Sequence, residues 1–299
     1  MSEKLPFQPV NFAIFAALRV IIGGLLLLPY KVRVPVCGWI VSRIIAPLAG
    51  YDRRIRENLA YIMPDMPEDQ VKSLMRQVPD TVGRTMIEVY SGKEFKKHAA
   101  DTPILGEGMN AILQARQQGR GVLLISGHFG NYDVPRAVLS SQGHNVAALY
   151  KPFSNPYFDR FYREKITAIG APIFPKGRRG MAEMVKHLRA GGLMGMLIDQ
   201  RMVNGAPLEF FGKPALTATN AAEMALKYNL LLVPVYGLRG EDGLSFQLVT
   251  EKPIAYATPE QMTQSLNDSL ERITRQHMDQ WFWIHKRWNT RPPGEASLY

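Results

Sequence analysis

The sequence predicts an α/β fold, with a mainly parallel central sheet flanked by helices, an N-terminal helical cap and an apolar membrane-anchoring segment. Three observations predict it. Short apolar runs alternate with amphipathic helical stretches after Thr102. Residues before that point carry helical spacing without strand runs. An almost uninterrupted apolar stretch, Phe12–Pro29, lies near the beginning.

That stretch is apolar apart from Arg19 and about as long as a bilayer core requires. One basic residue precedes it and no small-residue cleavage site follows, which argues against a removed signal peptide. Lys31, Arg33, Arg43, Arg53, Arg54 and Arg56 come after it. This excess marks the following side as cytoplasmic, so the chain is expected on the inner face of a membrane. Arg19 near mid-span is costly in lipid, so the segment spans, lies tilted or shallow along the surface, or packs on the domain, with a buried core helix as the competing reading. Residues 1–32 are therefore expected to anchor and 33–299 to form one domain, with a cap over about 40–100 and an α/β core over about 101–299.

Val41–Tyr61, broken at Pro47, and Glu68–Tyr90 have helical spacing, and Pro64 separates them. Strands are expected at Val122–Ile125, Val146–Tyr150, Ala171–Phe174, Leu193–Ile198, Leu231–Tyr236 and Leu244–Val249. Helices fall between them at Asn131–Ser141, Pro156–Ala168, Gly180–Arg189 and Thr219–Tyr228, with a last one at Pro259–Met278. Right-handed strand–helix–strand crossovers make such a sheet mostly parallel.

With 46% apolar and 21% charged residues, the 299-residue chain is not disordered. A formal charge of +10 calls for an anionic partner: acidic membrane, acidic carrier protein or nucleic acid. No nucleic-acid-binding signature supports the last. The single cysteine, Cys37, excludes an internal disulfide and reads as a small buried hydrophobe. The six histidines show no paired ligand spacing, so no metal is expected.

The stretch most suggestive of chemistry is Gly121–Asp133, where a strand ends in Gly127-His128 and Asp133 follows five residues later. A carboxylate bonded to one ring nitrogen leaves the other as a fixed base. The competing reading is a strand-end histidine that merely bonds a local acid. Three further clusters fall at strand ends or loops, where α/β folds gather their sites. Phe174–Gly180 carries Lys176 and Arg178 at a helix start, suited to phosphate or carboxylate or simply a wet basic turn. Leu197–Arg201 contains Asp199-Gln200, where the carboxylate can orient a cation or a hydroxyl, or cap the next segment. Phe210–Ala215 offers Phe211, Gly212 and Lys213 as an acyl groove or a packed loop. Trp281–Trp288 interleaves aromatic and basic residues, as at a membrane face.

These blocks, in this order, resemble the lipid A biosynthesis acyltransferase family, the lauroyl and myristoyl transferases, within the wider His-x4-Asp glycerolipid acyltransferases. The resemblance runs from Arg56-Glu57-Asn58-Leu59 through His128-Phe129-Gly130-Asn131-Tyr132-Asp133, Tyr150-Lys151-Pro152, Asn155-Pro156, Arg163, Gly170, Asp199-Gln200 and Phe210–Ala215 to Trp288. It implies transfer of a fatty acyl group from an acyl carrier protein or CoA thioester to a hydroxyl of a lipid A precursor, with no further cofactor. His128 would be the general base and Asp133 its orienting partner. Gly130, Asn131, Arg163, Lys176, Arg178, Asp199, Gln200, Phe211, Gly212 and Lys213 would contact substrate. The alternatives are another glycolipid or lysophospholipid as acceptor, or an inactive membrane-surface binding protein.

Overall fold

The structure, a computed structural model, describes residues 7–289, 298 and 299. The chain opens with α1 (Pro9–Leu27) and α2 (Tyr30–Ile40), which runs through a π-helical turn, Val41–Ile45, into the short α3 (Ala46–Leu48). α4 (Tyr51–Ile62), α5 (Glu68–Ser91) and α6 (Lys93–Ala99) complete the helical cap. The first helix of the domain thus begins at Tyr30, and it packs on α5: a Cβ on Gly83 of α5 would lie 2.9 Å from the Gly38 Cα.

The core follows as β1 (Ile104–Leu105), α7 (Gly108–Gln117), β2 (Val122–Ser126), α8 (Val134–Ser141), β3 (Val146–Tyr150), α9 (Pro156–Ile169), β4 (Ile173–Pro175), α10 (Arg178–Arg189) and β5 (Leu193–Leu197). Next come the hairpin β6 (Ala206–Phe210) and β7 (Lys213–Thr217), α11 (Asn220–Tyr228), β8 (Leu231–Arg239), β9 (Phe246–Thr250) and α12 (Pro259–Gln276). Among the described residues, seven strands form the main sheet in the order β1-β9-β8-β2-β5-β3-β4. All neighbours are parallel except β8 and β9, which a tight Gly240–Ser245 connection makes antiparallel. The predicted parallel α/β class is observed. The hairpin β6–β7, the strand β1 and the helices α6 and α7 add to it.

Alternation along β2 explains the layers. Val122 and Leu124 point into a core shared with α2, α5, α8 and α9. Leu123 and Ile125 point into one shared with α10, α11 and α12. A third cluster joins α4, α5, the hairpin and the C-terminal tryptophans. Cys37 is buried in the first of these cores, as its type predicts.

Two local expectations need correction. The expected helix Asn131–Ser141 begins at Val134, because Gly130–Asp133 form a turn with Gly130 at φ +53°. The stretch Trp281–Trp288 is interior and not a membrane face: Trp281, Trp283, Trp288 and Arg287 are all buried. Its tryptophans meet one another edge to face, Trp288 stacks on Phe210, and Arg287 donates to the Leu216 carbonyl.

Candidate active site

His128 sits two residues beyond the C-terminal end of β2. The parallel register pairs Ser126 with Leu197 on β5, so two residues further along each strand His128 and Asp199 stand side by side. His128 Nδ1 lies 2.8 Å from Asp199 Oδ1, and the His128 backbone N–H donates to Asp199 Oδ2 at 2.7 Å. Trp281 Nε1 donates to the same Oδ2 at 3.0 Å. With Asp199 buried and acceptor-only, the proton belongs on Nδ1, which leaves Nε2 with a free lone pair.

Burial opposes charge on the imidazole, but the adjoining Asp199 carboxylate outweighs it and raises the His128 pKa above the ordinary 6.5. Burial likewise works against ionised Asp199, yet His128 and its donated hydrogen bonds hold that carboxyl down at about 2. Nearby His285 behaves oppositely: burial lowers it to about 4, and its Nε2 accepts from the Arg201 N–H.

Asp133 is not the partner of His128. It stands at the N-cap of α8 and pairs with Arg136, one turn on, both nearly inaccessible. Arg136 also donates to the carbonyls of Ile166 and Gly170 at 3.0 and 2.7 Å, tying α8 to the end of α9. A three-residue helical step brings Asp133 to Arg136, and that pairing takes its carboxylate.

The turn carrying His128 is held from three sides. Thr85 Oγ1 donates to the Gly130 carbonyl at 2.9 Å, and Asn131 Nδ2 donates to Glu88 Oε2 at 2.8 Å. Buried Arg239 closes on both Glu88 oxygens at 2.7 and 2.6 Å and reaches Thr85 Oγ1 at 3.2 Å. Gly130 N–H donates to the Gln280 carbonyl at 2.8 Å. A Cβ at Gly130 would come within 2.1 Å of the Gly237 carbonyl, so only glycine fits.

Two cavities meet at His128. One, of about 410 Å³, runs under the sheet ends between Leu124, Ala148, Gly195 and Val235, with Lys151, Phe153 and Lys176 also among its walls. Leu124, Gly195 and Ala148 are cross-strand partners, so the floor is one transverse row of three strands. The other, of about 260 Å³, lies against α5 and is lined by Thr81, Thr85, Tyr90, Gln280 and Phe282. His128, Tyr132, Tyr162 and Gln200 belong to both. Gln200 Nε2 lies 3.5 Å from His128 Nε2, at the far end of hydrogen-bond range.

Of the expected substrate contacts, Gly130, Lys176 and Gln200 line these cavities, and Asp199 stands behind His128. Asn131 is buried and serves the Glu88 brace. Arg163 is exposed beside Tyr150, and Arg178 opens α10; neither lines a cavity at His128. Phe211, Gly212 and Lys213 lie away from it. Phe211 is buried on Trp283, Lys213 covers the Tyr61 ring, and Gly212 turns the hairpin. An aromatic pair next to Gly-Lys-Pro reads equally as groove or packed turn, and here it is the turn. Sequence reasoning passed over Thr85, Glu88, Arg239 and Gln280, whose partners lie up to 154 residues away. Among the described residues, no three His, Cys, Asp or Glu side chains converge as metal ligands.

Residues 7–290 match the family model described as bacterial lipid A biosynthesis acyltransferase. A lipid A biosynthesis acyltransferase of Haemophilus influenzae is 25% identical over 100% of this chain and 99% of its own length. The lipid A biosynthesis lauroyltransferase of Escherichia coli is 24% identical over 82% of this chain and 81% of its own. The myristoyltransferase of the same bacterium is 21% identical over 93% and 87%.

Proposed function

The chain belongs to the bacterial lipid A biosynthesis acyltransferase family, and we propose that His128 is the general base of its acyl transfer. It is an O-acyltransferase of lipid A, and so of lipopolysaccharide, biosynthesis. The donor in this reading is an acyl carrier protein or CoA thioester, and the acceptor is an anionic lipid A precursor. The observation that carries the assignment is the position of His128, its Nε2 free, where the two cavities join.

The larger cavity, floored by Leu124, Gly195 and Ala148, takes the acyl tail, and Lys151 and Lys176 stand where the donor's anionic portion would reach. The buried Asp133–Arg136 pair also lines it, its two charges cancelling in direct contact. The smaller cavity, with Thr81, Thr85 and Gln280 among its walls, admits the acceptor hydroxyl. Nε2 takes the hydroxyl proton as its oxygen attacks the thioester carbonyl. The C–S bond breaks, the ester forms, and the departing sulfur takes the proton back from His128 to leave as a free thiol. Asp199 holds the tautomer and offsets the charge the ring gains, the role a carboxylate plays behind a catalytic histidine. The side-chain amide of Gln200 is the nearest donor for the developing oxyanion. No acyl-enzyme is needed, and the buried Cys37 takes no part. No cofactor beyond the thioester co-substrate enters this reading.

α1, with a mean hydropathy of 2.2 and none of it buried, binds the protein to a membrane, in this reading the cytoplasmic face of the inner membrane. The test is to incubate wild type and His128→Ala with acyl carrier protein and CoA thioesters and a panel of lipid acceptors, and to weigh the products. One acyl unit added to a lipid A precursor by wild type alone is the expected result. Transfer only to lysophospholipid would replace the acceptor, and equal transfer by His128→Ala would remove His128 as the base.

A further inference from the structure

α1 is long and apolar enough to cross a bilayer, but its packing points elsewhere. From end to end one side of it is against the domain. The Gln8 N–H donates to the Tyr157 hydroxyl at 3.0 Å, and Asn155, which caps α9 through its Oδ1, donates from Nδ2 to the Asn11 carbonyl at 2.7 Å. Phe12 and Phe15 contact the Tyr157 ring, and the Arg19 guanidinium lies 4.4 Å over the Phe161 ring. Ile22, Leu25 and Leu26 pack, partly buried, against the core, and Arg33 donates to the Leu28 carbonyl at 3.1 Å. The body side is therefore Asn11, Phe15, Arg19, Ile22 and Leu26, one helical face at steps of three to four. The opposite side runs through Val10, Ala13, Ala17, Val20, Gly24 and Leu27, all exposed.

The neighbour it rests on decides the orientation. α9 carries Asp159, Arg160, Arg163, Glu164 and Lys165 within its 14 residues. α1 is about 28 Å long, so upright it would fill a hydrocarbon core of about 30 Å along its whole length. Those five charged side chains, packed alongside, would then enter hydrocarbon, where charge is strongly disfavoured.

We propose that α1 lies in the plane of one leaflet, its exposed side through Val10, Val20 and Leu27 in lipid and its Asn11–Arg19 face on α9, and does not span the bilayer. The occupant of the exposed stripe is the lipid surface itself. This rests on the membrane-bound reading above. It also places the loop of Phe153, a wall of the larger cavity that packs on Phe158 of α9, beside that leaflet.

The consequence is that residue 7, before the helix, and residue 241, on the exposed β8–β9 connection, share one side of the membrane. Full-length Phe7→Cys and Glu241→Cys, each in a Cys37→Ser background, are expressed in bacterial cells. Intact spheroplasts and sealed inverted vesicles are then treated with an impermeant maleimide. Both cysteines are expected to react in inverted vesicles, with at least a tenfold excess over spheroplasts. Reaction of residue 7 from the face opposite residue 241, or from neither face, overturns the in-plane orientation. Absence of the full-length chain from the membrane pellet would instead overturn the membrane-bound reading on which it rests.

Discussion

Gly195→Leu probes the larger cavity where it is best defined. A Cβ at Gly195 has Arg136 Cδ at 3.6 Å and the Ala147 carbonyl at 3.8 Å as nearest neighbours, ordinary contacts that need no rearrangement. The remaining three carbons of leucine extend into the floor between Leu124 and Ala148, where the acyl tail is placed. Displacing three methylenes at about 0.8 kcal/mol each removes about 2.4 kcal/mol of tail burial. At about 1.4 kcal/mol per tenfold, kcat/KM for the longest donor used by wild type falls about 50-fold relative to a donor shorter by a leucine's reach. The assay is competition within a ladder of saturated thioesters, with ester products weighed by mass spectrometry. Gly195→Ala, which adds one carbon, is expected to shift the profile by less than tenfold. An unchanged chain profile in Gly195→Leu, with all donors slowed alike, would refute the placement of the tail.

Three further outcomes follow from the contacts. His128 must be neutral to take a proton, and its pKa is raised, so the acid limb of kcat/KM is expected above 6.5. The His128–Asp199 attraction stabilises the fold fully below the unfolded histidine value and is lost as pH rises through the raised one. Activity and this part of stability thus run in opposite directions, which parallel pH–rate and denaturation curves check. Arg136→Met leaves Asp133 buried without its partner and frees two carbonyls; a loss of about 3–5 kcal/mol in denaturant unfolding is expected. Thr85→Val removes the bond to the Gly130 carbonyl, costing about 1 kcal/mol of stability. The same variant should lower kcat by up to about tenfold with little change in KM, as steady-state kinetics will show.

How much of this was legible in the sequence depends on distance along the chain. The α/β class, the strand ending at His128 and the basic residue Lys176 beside a cavity follow from local pattern, and the structure has them. The carboxylate on His128 does not. Asp133 is the near acid in sequence, but a helical step takes it to Arg136, while strand register brings Asp199 from 71 residues away. Register between β2 and β5 is a tertiary fact, and Asp199 could be singled out only as an acid at a strand end. The tryptophan stretch misled for a related reason: aromatic and basic residues alternate both at membrane faces and in cores where the cation finds carbonyls, as Arg287 does. The brace of Thr85, Glu88 and Arg239 pairs a cap helix with a late strand, and no spacing announces it.

The central claim, that His128 is the base and Asp199 its holder, is tested most directly by comparing Asp199→Asn with Asp133→Asn in the purified transfer assay. Asn offers no carboxylate to fix the Nδ1–H tautomer, so Asp199→Asn is expected to stay folded, to lose about 10³–10⁴-fold in kcat, and to move the acid limb downward. Asp133→Asn is expected to lose stability yet keep the wild-type pH profile per folded molecule. The reverse pattern, near-normal turnover in Asp199→Asn and a shifted pH profile in Asp133→Asn, would contradict the account.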